Sequence, residues 1–236
     1  MKRKVFVNVF ANAALVLIVG FLAFFAFGGG VVSVFSEGDE AIYKGNTKSN
    51  YISLMFNVYQ GSEHVVAILD LLERYNCKAT FFVGGVWAEK NPEILQLIAL
   101  RGHEIGNHGY FHKDHAKLSA NANREEISFT HTIVKKIAGV DMTLFAPPSG
   151  SFNKITLTAA KELEYKTIMW SKDTIDWRDQ DAGIIFKRAT TNARGGDFVL
   201  MHPTKATVAA LENIIKHLIE KGFELVTVSQ NIYNTQ

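Results

Sequence analysis

The chain has 236 residues, and its 25 Lys and Arg against 23 Asp and Glu leave a net charge of +2. Because this balance is near neutral, it gives no basic surface for a nucleic acid, and we expect no nucleic-acid partner. Cys77 is the one cysteine, so an intrachain disulfide and a cysteine-rich zinc site are both excluded. Any metal must be held by His, Asp or Glu.

The N-terminus has the pattern of a membrane anchor. Basic residues lie at positions 2–4, the segment 13–35 is apolar, and three acidic residues follow between positions 37 and 40. An apolar helix of about 20 residues is enough to cross a bilayer, and a basic flank stays on the cytoplasmic side. The pattern predicts one transmembrane helix within residues 1–35, with the N-terminus in the cytoplasm and the remainder outside it.

The rest of the chain is expected to be a stalk and one domain. Residues 36–50 are polar and predict a stalk, and residues 51–236 predict a single globular domain at the cell membrane. The alternative for the N-terminus is a cleaved signal peptide, because Ala26-Phe27-Gly28 fits a cleavage site, and the protein would then be secreted. The sequence does not indicate the oligomeric state.

From residue 51 onward, short apolar runs alternate with amphipathic segments. The runs predict strands at 51–56, 79–83, 104–107, 143–146, 167–170, 198–201 and 224–228. The segments predict helices at 63–75, 91–100, 119–137, 156–163, 182–192 and 207–221. Repeated strand–helix units require parallel pairing with right-handed crossovers. We therefore predict an α/β fold, a distorted (β/α) barrel of about seven parallel strands that is closed or nearly closed.

Polar residues cluster just past the C-terminal ends of these predicted strands. They are Asn57, His108, His112, Pro147, Pro148, Asp173, Asp176 and His202. In parallel α/β folds that rim is where sites are built. Two imidazoles four residues apart, as at His108 and His112, can face one way on a single helical turn, which is a suitable spacing for zinc. The pattern predicts a functional site at the rim.

Four stretches resemble, in order, the motifs of one family. They are 78–83, 102–108, 170–177 and 198–202, and they resemble the polysaccharide deacetylases with a NodB homology domain, carbohydrate esterase family four. The resemblance extends from residue 51 to about residue 228. It implies a distorted (β/α) barrel and metal-dependent removal of N-acetyl groups from glycans. The implied cofactor is a divalent metal, expected to be zinc, and the implied partner is peptidoglycan or a related N-acetylated polymer.

The resemblance also implies roles for site residues. His108 and His112 match two metal ligands, and His202 matches the acid that protonates the leaving amine. Asp173 and Asp176 match the carboxylates that orient this acid. The walls of the substrate groove are expected to come from Trp170, Trp177, Pro147 and Pro148.

The first family motif, Thr-Phe-Asp-Asp-Gly, is altered in this chain, where residues 55–59 read Met-Phe-Asn-Val-Tyr. Asn57 stands in the place of the catalytic base, and Val58 stands in the place of the third metal ligand. Ala146 replaces the family's Arg that pairs with the base. A buried Arg without its Asp partner would be energetically costly, so the joint loss of the two residues is best explained as one change.

Three alternatives follow from these changes. A working deacetylase would need a substitute ligand or base, for which Glu63, His115 and Asp114 are the candidates. A catalytically impaired protein would keep the groove and bind glycan, or organise the envelope, without hydrolysis. A metal-bearing hydrolase of a different substrate is the third. We expect deacetylation of cell-wall glycan, with the impaired protein as the main alternative.

Overall fold

The structure is a computed structural model that describes residues 40–233. The predicted anchor and cleavage site lie outside these residues. Within them, no helix is both long enough and apolar enough to cross a membrane.

Strands and helices alternate along the described chain. The strands are β1 (Tyr51–Val58), β2 (Thr80–Val83), β3 (Glu104–Asn107), β4 (Leu144–Phe145), β5 (Lys166–Thr167), β6 (Lys172–Asp173), β7 (Phe198–Met201) and β8 (Glu224–Leu225). The helices are α1 (Val65–Arg74), α2 (Gly85–Lys90), α3 (Pro92–Leu100), α4 (Ala120–Ala138), α5 (Lys154–Glu162), α6 (Ala182–Thr190), α7 (Lys205–Glu220) and α8 (Val228–Tyr233). The predicted order of the elements is confirmed, and β6, α2 and α8 are additional short elements.

The strands form one parallel sheet with the order β5-β4-β3-β2-β1-β7-β6, and β8 pairs with the start of β1. The sheet curls into a half-barrel, and no pairing between its end strands β5 and β6 is found in the described part of the chain. The predicted α/β fold of about seven parallel strands is confirmed, and the sheet forms a half-barrel where a closed or nearly closed barrel was predicted. β4, β5 and β6 have two residues each, so these strands offer few ladder bonds with which to close a ring.

The chain ahead of β1 is part of the domain. Ile42 forms a parallel bridge with Ile168, and Lys44 forms an antiparallel bridge with Asp197. The amide of Gly45 donates to the carbonyl of Gly196 at 2.8 Å. These contacts place residues 42–45 of the predicted stalk against the sheet, so the folded domain begins before residue 51.

β1 lies inside the sheet between β2 and β7, and all eight of its residues are buried. Ile52, Leu54, Phe56 and Val58 belong to the core between the sheet and the helices, whereas Met55 belongs to the core inside the half-barrel. Because side chains alternate along a strand, Asn57 shares the inner face with Met55. The last inward-facing position of β1 therefore holds an amide.

His103, just before β3, is a buried titratable group in the fold. Its side chain is 7% exposed, and its Nδ1 accepts a hydrogen bond from the amide of Ala79 at 3.3 Å. Its ring meets the edge of Phe81, with 5.4 Å between ring centres. Burial, and then the charges of Lys78 and Arg101, lower the pKa of His103 from 6.5 to about 4. The folded state thus holds this imidazole neutral.

We predict that His103 makes the protein less stable as the pH falls from 6.5 towards 4. Across this window the unfolded state binds the proton more tightly than the folded state does. The free energy of unfolding should fall by up to about 1.4 kcal/mol per pH unit from this group. His103→Asn keeps an acceptor for the Ala79 amide but does not titrate, so its profile from urea unfolding should be flatter. Parallel profiles for the two proteins would contradict this.

Candidate functional site

A pocket of 310 Å³ opens at the C-terminal ends of the strands. Its volume is at the lower end of the range for small-ligand sites, about 300–1,000 Å³. The residues that line it are Asn57, Tyr59, His108, His112, Ser149, Trp170, Asp173, Trp177, Leu200 and His202. Seven of these ten were named from the sequence, and Tyr59, Ser149 and Leu200 were not.

His108 forms the floor on one side of the pocket and is 1% exposed. Its Nδ1 lies 2.7 Å from the carbonyl oxygen of Ala146. Because a carbonyl only accepts, Nδ1 carries the hydrogen, and Nε2 keeps its lone pair. Burial first, and then the neighbouring His112, lower the pKa of His108 well below 6.5. This imidazole is therefore neutral at neutral pH.

His112 reaches the same side of the pocket through a tight turn and not through the single helical turn that the spacing would also allow. Gly109 and His112 have positive φ values of 72° and 55°, so the segment is a tight turn. The ring centres of His108 and His112 lie 5.0 Å apart. The ring of Tyr59 stacks on His112 at 3.7 Å with an interplanar angle of 19°. Burial lowers the pKa of His112 as well.

The turn that carries these histidines is held by protein groups. Asn107 accepts the amide hydrogen of Gly109 at 2.9 Å and donates to the carbonyl of Ile127 in α4 at 2.8 Å. Glu126 in α4 accepts the amide hydrogen of Phe111 at 2.7 Å. These bonds fix both ends of the turn to a helix, and the turn does not require an ion to define its shape.

His202 forms the opposite side of the pocket and is oriented by Asp176. The carboxylate of Asp176 is fully buried and accepts from the backbone N–H of His202 at 2.6 Å and from its Nδ1–H at 2.8 Å. A third bond comes from the hydroxyl of Thr207 at 2.5 Å. Since Nδ1 donates to the carboxylate, Nε2 is the atom that His202 presents to a ligand.

Asp173 and Asp176 have different surroundings. Asp173 lines the pocket, and its Oδ1 accepts from the amide of Ile175 at 2.8 Å. Ile175 adopts a positive φ of 53°, which turns the chain sharply between the two carboxylates. Asp176 therefore holds His202 in place, and Asp173 faces the pocket.

Asn57 and Val58, which lie in the first motif, face opposite sides of β1. Asn57 is 3% exposed, and its Oδ1 has no hydrogen-bond partner among the described residues. Val58 is fully buried in the core between sheet and helices and provides no donor atom to a metal. Ala146 is also fully buried, and its side chain belongs to the apolar core inside the half-barrel.

Glu63 and Asp114, two of the three candidate replacement groups, are engaged away from the pocket. The carboxylate of Glu63 is at the surface and accepts the amide hydrogen of Ser62 at 2.8 Å. Asp114 accepts from the hydroxyl of Ser151 and pairs with Lys117 at 2.9 Å. Neither lines the pocket.

His115, the third candidate, is fully buried behind the turn. Its Nδ1 lies 2.7 Å from Oδ1 of Asn123, whose Nδ2 donates to backbone carbonyls. Nδ1 therefore carries the hydrogen, and Nε2 is an acceptor with no partner among residues 40–233. That nitrogen faces Gly109, where an added Cβ would lie 2.8 Å away. His115 thus abuts the turn and does not line the pocket.

The metal that the resemblance implies can be tested against these positions. Two imidazoles that share a zinc ion lie roughly 5 Å apart between ring centres, a spacing that His108 and His112 match. A catalytic zinc has three protein ligands. Between residues 40 and 233 no group of three His, Cys, Asp or Glu side chains is placed to hold an ion. Burial raises the pKa of Tyr59, so its phenol is not a ready substitute. The described residues do not fit the three-ligand site.

The two prolines that were expected in the groove wall are buried and do not line the pocket. Pro148 is buried and sits 3.5 Å from where a Cβ on Gly109 would be. The next residue, Ser149, lines the pocket instead and has a positive φ of 55°. Trp170 and Trp177 both line the pocket. Tyr59 directly follows the end of β1, and this position in the sequence could have indicated that it lines the pocket.

Comparisons with known proteins give one family. Residues 44–168 match the family model for polysaccharide deacetylase. The chain is 38% identical over 197 residues to the uncharacterized protein YlxY of Bacillus subtilis, covering 84% of this chain and 62% of YlxY. It is 36% identical over 182 residues to a peptidoglycan-N-acetylglucosamine deacetylase of Bacillus cereus, covering 75% of this chain and 66% of that protein. The chain thus spans slightly less than two thirds of either relative.

Solved structures agree with this result. BA3943 of Bacillus anthracis, described as a CE4 family pseudoenzyme, superposes with a TM-score of 0.80 and 33% identity. The match covers 82% of this chain and 69% of that protein. A mutant of BA3943 is described as having restored enzymatic activity, and it superposes with the same TM-score and 31% identity.

We predict that Asp176→Asn destabilises the protein more than Asp173→Asn does. The Asp176 carboxylate accepts three hydrogen bonds in a buried site, so an amide group there would turn a donor towards another donor. The free energy of unfolding should fall by about 1–3 kcal/mol. Asp173 accepts one bond beside solvent, and its substitution should cost less than about 1 kcal/mol. Equal losses in denaturant unfolding would contradict the assignment.

Proposed function

The chain belongs to the polysaccharide deacetylase family, and we propose that it binds N-acetylated cell-wall glycan in its pocket without hydrolysing it. The observation that carries this proposal is the asymmetry of the site. The aromatic wall, formed by Tyr59, Trp170 and Trp177, is present, and so is the hydrogen-bonded pair of His202 and Asp176. An amide takes the place of the base, and the histidine pair has no third ligand in the described chain.

The pocket is suited to a sugar ring. Trp170, Trp177 and Tyr59 line it, and Trp177 is 57% exposed. A flat aromatic face can cover the apolar face of a sugar while its polar edge remains solvated. Asp173 and His202 supply polar groups near these rings. A concave surface with aromatic walls and few polar groups is typical of a small-ligand site.

Hydrolysis of an amide bond needs more than the described residues provide. A base must take a proton from the attacking water, and the amide of Asn57 has no basic atom for that step. His202 can hold a proton for a leaving amine, but an acid acts only after an attack has begun. The groups that remain can bind and orient an acetylated sugar.

A second candidate function is metal-dependent deacetylation. The relative from Bacillus cereus is named a peptidoglycan-N-acetylglucosamine deacetylase. Two observations favour this function. The 5.0 Å spacing of His108 and His112 suits a shared ion, and Asp176 orients His202 as a proton donor. In that case water would add to the acetyl carbonyl, the C–N bond would break, and acetate and an amine would be released.

The proposed location is the outer side of the cell membrane. The basic N-terminus, the apolar segment 13–35 and the acidic residues after it support an anchor with this orientation. A glycan of the cell wall would be reached from there. The cleaved signal peptide, with secretion of the domain, is the alternative.

We predict that the protein binds tetra-N-acetyl chitotetraose and that Trp177→Ala weakens this binding three- to tenfold, because a stacking face of about 1 kcal/mol is lost. Phe129→Ala is the matched control, since Phe129 is 53% exposed but does not line the pocket. Titration calorimetry measures both. Equal affinities of the two variants, or no binding by the unmodified protein, would count against the proposal.

We also predict that no acetate is released from the same oligomer or from peptidoglycan, with or without added zinc. An enzymatic acetate assay with an active family member as positive control measures this. Zinc-dependent release that disappears in His108→Ala and in His202→Ala would establish the second candidate instead. Both variants should leave glycan binding measurable, because the aromatic wall is intact.

A further inference from the structure

The ring of Tyr59 lies against both sides of the pocket. It stacks face to face on His112, with 3.7 Å between the ring centres and 19° between the ring planes. Its centre is 6.0 Å from that of His108 and 6.5 Å from that of His202, which it meets edge-on. All four side chains line the pocket. One aromatic ring therefore borders every histidine of the pocket.

The backbone is held on either side of Tyr59. Before it, the carbonyl of Val58 accepts the amide hydrogen of Gly84 at 2.9 Å. Gly84 leaves room for Tyr59, because an added Cβ there would lie 3.3 Å from the Cβ of Tyr59. After it, the carbonyl of Gly61 accepts from the indole N–H of Trp87 at 2.5 Å. The position of the phenol ring is therefore a product of the fold.

A metal ion held by His108 and His112 would need further ligands. The 5.0 Å between their ring centres suits a shared ion. Zinc in proteins takes four ligands in a tetrahedral arrangement. In the described part of the chain no third His, Cys, Asp or Glu side chain is placed to complete a group with this pair. The remaining two positions would have to be filled by water or by oxygen atoms of a bound ligand.

Tyr59 covers one side of the place where such an ion would lie. The lone pair of an imidazole nitrogen points along the plane of its ring, so an ion bound to His112 lies in that plane. In a tetrahedral site the other ligands of the ion then project to both sides of the plane. A ring 3.7 Å from His112 is in van der Waals contact with it and leaves no layer of water between them. The ring carbon atoms of Tyr59 cannot replace the missing ligands.

We propose that Tyr59 excludes a metal ion from His108 and His112, so that the pocket works as a metal-free binding site. The ring stands at residue 59, where the first family motif has a glycine. Two changes then act against an ion, because Val58 provides no ligand and Tyr59 takes the room that water would need to replace it. The inference goes beyond glycan binding, since it concerns the histidine pair and holds for any sugar in the pocket.

The experiment titrates zinc ions into the full-length protein and its variants by calorimetry. The unmodified protein and Tyr59→Phe, which keeps the ring, should have equal and weak affinities for zinc. Tyr59→Ala should bind one zinc ion about tenfold more tightly or better, because water can then complete the coordination. This gain should disappear in the double variant with Tyr59→Ala and His112→Ala, which shows that the ion is bound at the histidine pair.

Trp177→Ala is the matched control, because it also removes an aromatic ring from the pocket wall but leaves Tyr59 on His112. It should leave the zinc affinity unchanged, and an equal gain in this variant would overturn the proposal. Tyr59→Ser is a second small variant, so that the result does not depend on the folding of one protein.

Equal zinc affinities of the unmodified protein and both small variants would overturn the role of Tyr59 and leave glycan binding standing. Tight binding of one zinc ion by the unmodified protein, lost in His112→Ala, would overturn it and favour the second candidate function.

Discussion

Strand β1 is buried on both faces, and the alternation of its side chains decides what the site can contain. Val58 faces the helix layer, where it packs in the outer core, and Asn57 faces inward at the end of the strand. The central position in the sheet, between β2 and β7, fixes the backbone at this point. Chemistry at the rim therefore depends on one inward-facing side chain, and here that side chain is an uncharged amide.

Hydrogen bonds within the protein hold the histidines on both sides of the pocket. Asn107 and Glu126 hold the turn that carries His108 and His112, and Asp176 holds His202. A site built in this way is rigid before any ligand arrives, which lowers the entropic cost of binding. These contacts would hold the pocket in the same shape for the proposed glycan with or without a bound metal.

Asn57, His108 and His202 follow the C-terminal ends of predicted strands. For this reason the sequence alone predicted that they lie close together, and all three line one pocket. The prediction failed where the contact was distant or the backbone unusual. The turn at His112 depends on a positive φ, which an HxxxH pattern does not reveal. His115 is hydrogen-bonded to Asn123 in α4, a tertiary contact that the spacing of residues in the sequence does not reveal. The apolar runs at 143–146 and 167–170 overstated the length of β4 and β5, which have two residues each. Strands this short offer few hydrogen bonds with which to close a barrel.

The most direct test of the account is a crystal structure of the protein grown with tetra-N-acetyl chitotetraose and zinc. We predict a sugar ring that lies against Trp170 and Trp177 with its acetamido group intact, and no ion between His108 and His112. Zinc bound to both histidines and a third protein ligand, next to a sugar that has lost its acetyl group, would contradict it.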